Sequence, residues 1–186
     1  MKQEKEYWVT DYIKNYDSVV LENICDDVLN EQFSYEASAY STHDSGKVIK
    51  TDRVTSEDFW IRKDHKFYQS LHKSYGESIK RYREEFPDFT VQHLTDFRVS
   101  KYNTGGFMSN HVDLIHHSHG QQWGYPQVTV LLFMNDDYQG GEIIIAGRKF
   151  KPNKGSCIVF PSNFAYPHEV LEVIKGTRYS ITCWLM

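Results

Sequence analysis

The first things to read in this chain are what it lacks. No stretch stays apolar for the ~20 residues that a membrane-crossing helix needs. The opening residues, MKQEKEYWVT, are charged and hold no apolar run of the kind a secretory leader carries, so no signal peptide is expected. Cysteine is scarce. Cys25, Cys157 and Cys183 lie far apart and form no CxxC pair. Their odd number argues against a disulfide framework, and their spacing against a structural zinc knuckle. Two of them sit in the apolar runs GSCIVF and SITCWLM, where a small buried side chain is the expected use. A reducing, cytoplasmic compartment follows as the expectation. Positive charge is also short: 21 Lys and Arg stand against 25 Asp and Glu, a net charge of −4. No basic patch appears, which disfavours a nucleic-acid partner. No internal repeat or low-complexity segment is visible.

What is present suits a folded, soluble chain. The 186 residues are enough for one domain with a proper core, and 40% of them are hydrophobic. Aromatics reach 15%, including thirteen Tyr and eleven Phe, which suits a fold with many strands. The first part, about 1–92, reads as helix-rich. SVVLENICDDVLNEQF sets Val20, Ile24 and Val28 four apart, with Leu21 beside them and Ser18 as the expected cap. DHKFYQSLHKSYGESIKRYREEF aligns Phe67, Leu71, Tyr75, Ile79, Tyr82 and Phe86 in one core-facing stripe that Pro87 ends. Residues 34–56 are polar, a strand or loop of uncertain order. From about 93 to 186 the character changes. DFRVSKY, QVTVLLFMN, GEIIIAG, GSCIVFP and RYSITCWLM are short β-branched and aromatic runs, separated by the turn signals NTGG, DDYQGG, KPNKG and VIKGT. Such strands without intervening helices predict an antiparallel sandwich or jelly roll, buttressed on one side by the helices.

The chemistry-bearing residues gather in two places. SNHVDLIHHSHG carries His111, Asp113, His116, His117 and His119. In an extended segment His111 and Asp113 share a face. Alone, such a pair is a common coincidence in a chain with nine histidines. His168, in FPSNFAYPHEVLEV, adds the third member of a two-histidine, one-carboxylate set, which leaves three adjacent positions open on Fe(II). Arg178, in GTRYSITCW, comes ten positions after His168. Taken alone it reads as a strand arginine in a surface ion pair. Placed on the strand after that histidine, its guanidinium would clamp the far carboxylate of a dicarboxylic acid whose near end chelates the metal. His116, His117 and His119 read as loop histidines at the cavity mouth, and His43, His65, His72 and His93 have no ligand-like spacing.

KYNTGGFMSNHVD, VTVLLFMN, GGEIIIAGRKF, KPNKGSCIVFP, PHEV and GTRYSITCWL, in this order, resemble the prolyl 4-hydroxylase-like branch of the 2-oxoglutarate/Fe(II)-dependent dioxygenases. The resemblance implies a mainly β fold with N-terminal helices (α+β): a double-stranded β-helix, the cupin-like jelly roll. It implies His111, Asp113 and His168 as iron ligands, Arg178 as the anchor of 2-oxoglutarate, and Tyr102 and Thr182 in the cosubstrate pocket. One departure stands out. Where some relatives use a tyrosine on the VTVLLFMN strand to bind the cosubstrate, this chain has Phe133, so Arg178 acts with less help or Tyr102 and Thr182 compensate. The implied cofactors are Fe(II), 2-oxoglutarate and O2, with ascorbate as reductant. The implied reaction hydroxylates an unactivated C–H bond of peptidyl proline or a related amino-acid substrate, releasing succinate and CO2.

Two other functions share parts of this pattern. Nucleic-acid oxidative demethylases of the same superfamily usually carry paired arginines farther beyond the distal histidine than the single Arg178. A cupin-like module that binds a metal or small acid without turnover would need no more than the triad. The segments 34–56 and 114–126 are expected to shape substrate choice.

Overall fold

The computed structural model describes residues 8–41, 48–49, 52–114 and 124–186. The chain enters through a single turn of 3-10 helix (Val9–Tyr12) and strand β1 (Lys14–Tyr16), then helix α1 (Glu22–Leu29). Short strands follow: β2 (Glu36–Ala37), β3 (Tyr40–Ser41), β4 (Val48–Ile49), β5 (Val54–Thr55) and β6 (Glu57–Ile61). Helix α2 (Tyr68–Glu85) separates these from the strand-rich remainder. That remainder holds β7 (Phe97–Tyr102), β8 (Phe107–His111), β9 (Val128–Phe133), β10 (Gln139–Gly140) and β11 (Ile143–Ile145). It continues through β12 (Arg148–Phe150), β13 (Cys157–Pro161), β14 (His168–Val170), β15 (Val173–Lys175) and β16 (Arg178–Leu185).

The major sheet runs β1-β13-β9-β16-β7-β6-β2, and the minor sheet β12-β11-β14-β8-β5. All the described pairings within them are antiparallel. Alternation along the central strands assigns each side chain to one of two faces. On one face Phe97, Val99, Val130, Leu132, Cys157, Val159, Ile181, Cys183 and Leu185 pack against Leu71, Tyr75 and Tyr82 of α2 and Cys25 and Val28 of α1. The Tyr75 hydroxyl donates to the Ile181 carbonyl at 2.9 Å, so the polar tip of this buried ring is satisfied. Each such aliphatic or aromatic residue withdrawn from water contributes about 1.5–3 kcal/mol. On the other face Leu131, Phe133, Ile158 and Phe160 meet Ile143 and Ile145 of the minor sheet. Two facing sheets with helices outside one of them are the double-stranded β-helix expected from the strand pattern.

The N-terminal part departs from the helix-rich reading. Beside its two helices it supplies β1, β6 and β2 to the major sheet and β5 to the minor one. The reason lies in the partner strand: β6 pairs β7 from Glu57↔Lys101 to Ile61↔Phe97, and ladder hydrogen bonds organise a segment whose own composition is too polar to announce a strand. Ser18 is not the cap of α1. It has φ 55, and the helix begins at Glu22 after an extended Leu21, with no side-chain cap. The N–H groups of Val19 and Val20 instead donate to the Gly155 carbonyl, which pulls the chain onto the sheet edge and leaves Leu21 68% exposed. The α2 stripe is as expected, with Phe67, Leu71, Tyr75 and Tyr82 buried and Ile79 and Phe86 packed on the same core.

Candidate active site

The site is built by the register of two neighbouring strands. His111 closes β8, and His168 opens β14 directly across the ladder. The register slips between His168 and Val170. The two rings stand 4.1 Å apart, centroid to centroid. Asp113, just beyond β8, places Oδ1 3.7 Å from His111 Nε2 and Oδ2 3.5 Å from His168 Nε2. One donor atom from each residue falls within a 4.8 Å cluster. Bonds of roughly 2.1 Å at right angles would set neighbouring donors about 3 Å apart, so the triad needs only a small contraction to chelate one ion.

The outer partners fix which nitrogen faces inward. His111 Nδ1 lies 2.9 Å from the Ser109 carbonyl, and His168 Nδ1 lies 3.2 Å from the Tyr166 carbonyl. A carbonyl only accepts, so each Nδ1 carries the proton and each Nε2 keeps its lone pair toward Asp113. Burial pushes the His111 imidazole down to about 3, with His168 adding to the shift. Burial by itself would raise the Asp113 carboxyl. The neighbouring His168 and His111 and the hydrogen bond from Thr129 outweigh it and hold the group below the usual carboxylate range. That bond is short: Thr129 Oγ1 donates to Asp113 Oδ2 at 2.7 Å, and Ser162 Oγ stands 2.8 Å from the same threonine oxygen. Trp184 also helps to hold Asp113 down, at a looser geometry, since its indole nitrogen has no full hydrogen bond. A neutral His111 and an ionised Asp113 thus present lone pairs to the same point, the donor set that suits a divalent first-row ion.

Arg178 opens β16 opposite Tyr102 and is 1% exposed. Strand β15 lies between β14 and β16, so Arg178 is not on the next strand after His168 as the spacing suggested. Its guanidinium sits 5.1 Å from the Tyr102 ring and 5.2 Å from the Phe133 ring, and one Nη donates to Ser180 Oγ at 3.0 Å. Its Nε has no partner, and no carboxylate among the described residues forms an ion pair with it. A buried guanidinium without an anion costs several kcal/mol. It is placed to take a carboxylate. Close by, the Tyr138 hydroxyl is buried without a full hydrogen bond and interacts with Arg178 at a looser geometry, and the Tyr138 ring and the Arg178 stem each stand 3.1 Å from the Cβ position at Gly141. Tyr138 therefore brings a hydroxyl to the neighbourhood that Phe133 leaves without one.

All six residues singled out from the sequence line one pocket: Tyr102, His111, Asp113, His168, Arg178 and Thr182. Tyr102 and Thr182 are buried, and the Tyr102 hydroxyl meets Met108 Sδ at 3.9 Å. Arg98, Ser180 and Trp184 line the same pocket, and Thr129, Ser162 and Tyr138 support it; the sequence reading named none of these. For Ser180 and Trp184 the signal was present, because period-two alternation from Arg178 puts both on the Thr182 face. Of the other described histidines, His65 packs against Phe33, Phe59 and Phe67, His72 stacks on Tyr68, and His93 exchanges backbone hydrogen bonds with Met186. His116, His117, His119 and His43 lie outside the described residues.

Comparison with known proteins agrees with this geometry. Residues 97–186 match the family described as the 2OG-Fe(II) oxygenase superfamily. A PKHD-type hydroxylase of Prochlorococcus marinus is 41% identical over 61 residues, which cover 31% of this chain and 27% of that relative. Human prolyl 3-hydroxylase 2 is 38% identical over 63 residues, covering 30% of this chain and 9% of that protein. The chain thus spans under a third of either relative. Among solved structures, the viral collagen prolyl hydroxylase of Paramecium bursaria Chlorella virus-1, in its 2OG complex, superposes with TM-score 0.69 at 16% identity, over 94% of this chain and 95% of that one. A prolyl hydroxylase from Trichoplax adhaerens, bound to a hypoxia-inducible-factor peptide fragment, reaches TM-score 0.70 at 18% identity, over 95% and 84%. These structural likenesses speak to the fold, while the family match falls on the strands that carry the triad and the arginine. The core strands of this chain, residues 97–186, are thus similar to the 2OG-Fe(II) oxygenase superfamily, and its fold is the one prolyl hydroxylases share.

Proposed function

We propose that the chain is an Fe(II)- and 2-oxoglutarate-dependent oxygenase that hydroxylates an unactivated C–H bond of peptidyl proline or a related amino-acid substrate. The observation that carries the reading is one pocket holding a buried His-Asp-His cluster and a buried arginine without an anion. His111 Nε2, Asp113 and His168 Nε2 would hold the metal, and Arg178 would seat the far carboxylate of 2-oxoglutarate. Bound there, Fe(II), 2-oxoglutarate and O2 would supply the oxidising chemistry, with succinate, CO2 and the hydroxylated substrate as products and ascorbate as the reductant we assign. The protein's own part is position. Ser109 and Tyr166 hold the two imidazoles in the liganding tautomer, and Thr129 holds the carboxylate in place. Tyr102 and Phe133 flank the guanidinium and keep water from it, which strengthens its hold on an anion. The relatives named as prolyl hydroxylases support proline as the residue acted on.

The span 1–186 is read as one working domain, a reading supported by β1, β2, β5 and β6 sharing sheets with strands beyond residue 93. No helix among the described residues is long and apolar enough to cross a membrane. The three buried thiols favour a cytoplasmic setting. The test is Fe(II) binding and 2-oxoglutarate-dependent succinate release with proline peptides and free amino acids. His111→Ala is expected to lose both metal and turnover. Unchanged iron affinity in that variant, together with no succinate from any substrate, would sink the reading.

A further inference from the structure

The pocket holds a second arginine that the reading above does not use. Arg98 lies on β7, in register with Thr182 of β16 on one side and Trp60 of β6 on the other. Its side chain lines the same pocket as the triad and is 18% exposed, so it is largely buried yet open to a ligand. Its Nε has no hydrogen-bond partner. Asp58 offsets the charge without taking the hydrogen bonds: its Oδ1 is 3.9 Å from Arg98 Nε and already accepts from Ser100 Oγ at 2.8 Å. The guanidinium stands 5.1 Å from the Trp184 ring, whose indole nitrogen is turned to Asp113. An orphaned donor on a buried guanidinium thus sits on the wall of the pocket.

The two arginines are rooted at different places on the pocket wall. Arg178 and Thr182 are four residues apart on β16, with Arg98 beside Thr182, so the backbone positions of the two arginines are about 13 Å apart along the strand direction. The carbon chain of a five-carbon diacid spans roughly 5 Å. A molecule with its far end on Arg178 and its near end at the triad leaves Arg98 to another anion.

We propose that Arg98, with the Trp184 ring beside it, forms a second carboxylate-binding site, and that the prime substrate presents its carboxylate there. The substrate class is then a free amino or imino acid, or the C-terminal residue of a peptide, rather than an internal residue of a chain. This rests on the oxygenase reading, and the test separates the two.

Protein loaded with Zn(II) and N-oxalylglycine, a 2-oxoglutarate mimic that is not decarboxylated, is titrated with four probes: L-proline, N-acetyl-L-proline and the amide of each. Binding is followed by calorimetry and by Trp emission, to which Trp184 contributes alongside the three other tryptophans. At least one acid is expected to bind tenfold or more tighter than its amide; preference for free proline marks a free imino acid, and preference for the acetyl form a peptide terminus. Arg98→Met is expected to erase the acid preference and leave N-oxalylglycine affinity within twofold, and Arg98→Lys, which keeps the charge beside Asp58, to retain part of it. Equal binding of acid and amide, no saturable binding of either acid, or an equal loss of N-oxalylglycine affinity in Arg98→Met would overturn the proposal. Failure of N-oxalylglycine itself to bind the metal-loaded wild type would instead remove the oxygenase reading beneath it.

Discussion

Thr129→Val isolates what the support behind a metal ligand contributes. Valine has almost the shape of threonine, so the packing inside β9 is preserved while one hydrogen bond disappears. That bond runs from Thr129 Oγ1 to Asp113 Oδ2 at 2.7 Å, in a buried setting where water cannot replace it. A hydrogen bond to an ionised group contributes about 1.5–3 kcal/mol. If most of it serves to hold the carboxylate where the metal needs it, divalent-metal affinity falls roughly 10- to 100-fold, the usual range for a partner behind a ligand. The Ser162 hydroxyl, 2.8 Å from the Thr129 oxygen, loses its partner too and so gives no rescue through the threonine. Calorimetric titration of Mn(II) into the metal-free protein measures the change, with thermal unfolding as the control for folding. Thr129→Ser keeps the donor and is expected to stay within about threefold of wild type by the same logic. The reasoning fails if the folded valine variant binds Mn(II) as wild type does, or if serine and valine lose affinity alike.

The same geometry makes two further predictions. Gly141→Ala brings a Cβ to 3.0 Å from Val173 Cγ2 and 3.1 Å from both Arg178 Cδ and Tyr138 Cε2, at φ +63. The cost is about 1–3 kcal/mol in stability from overpacking, and the displaced Arg178 weakens N-oxalylglycine binding; a variant with normal unfolding temperature and normal affinity refutes this. The metal-free protein loses stability on acidification between pH 6.5 and about 3, because His111 is held neutral when folded and takes up a proton when unfolded. Denaturant titrations across that range show the slope, and His111→Gln is expected to flatten it; an unchanged slope counts against a buried neutral imidazole.

Much of the site was legible because its signals are local. His111-Val112-Asp113 puts two ligand types on one side of any extended segment, and the alternation in RYSITCWLM sends Arg178 and Thr182 to one face and Ile181 and Cys183 to the other. The stripe in α2 needed only the helical period. Ser18 was misleading for the opposite reason, since the Gly155 carbonyl that captures Val19 and Val20 is contributed from far along the chain. Arg98 stayed silent because a charged residue inside a strand run reads as solvent-facing until the opposing sheet is in place.

Composition, periodicity and motif order alone therefore determined a jelly roll with helices against one side, and named the residue types able to hold a metal and an acid. Tertiary structure alone decided that His168 pairs across from His111, that Thr129 reaches Asp113, and that two arginines line one pocket. A strand's sequence specifies which way its side chains face, whereas the distance between facing side chains belongs to the register and packing of strands far apart in the chain.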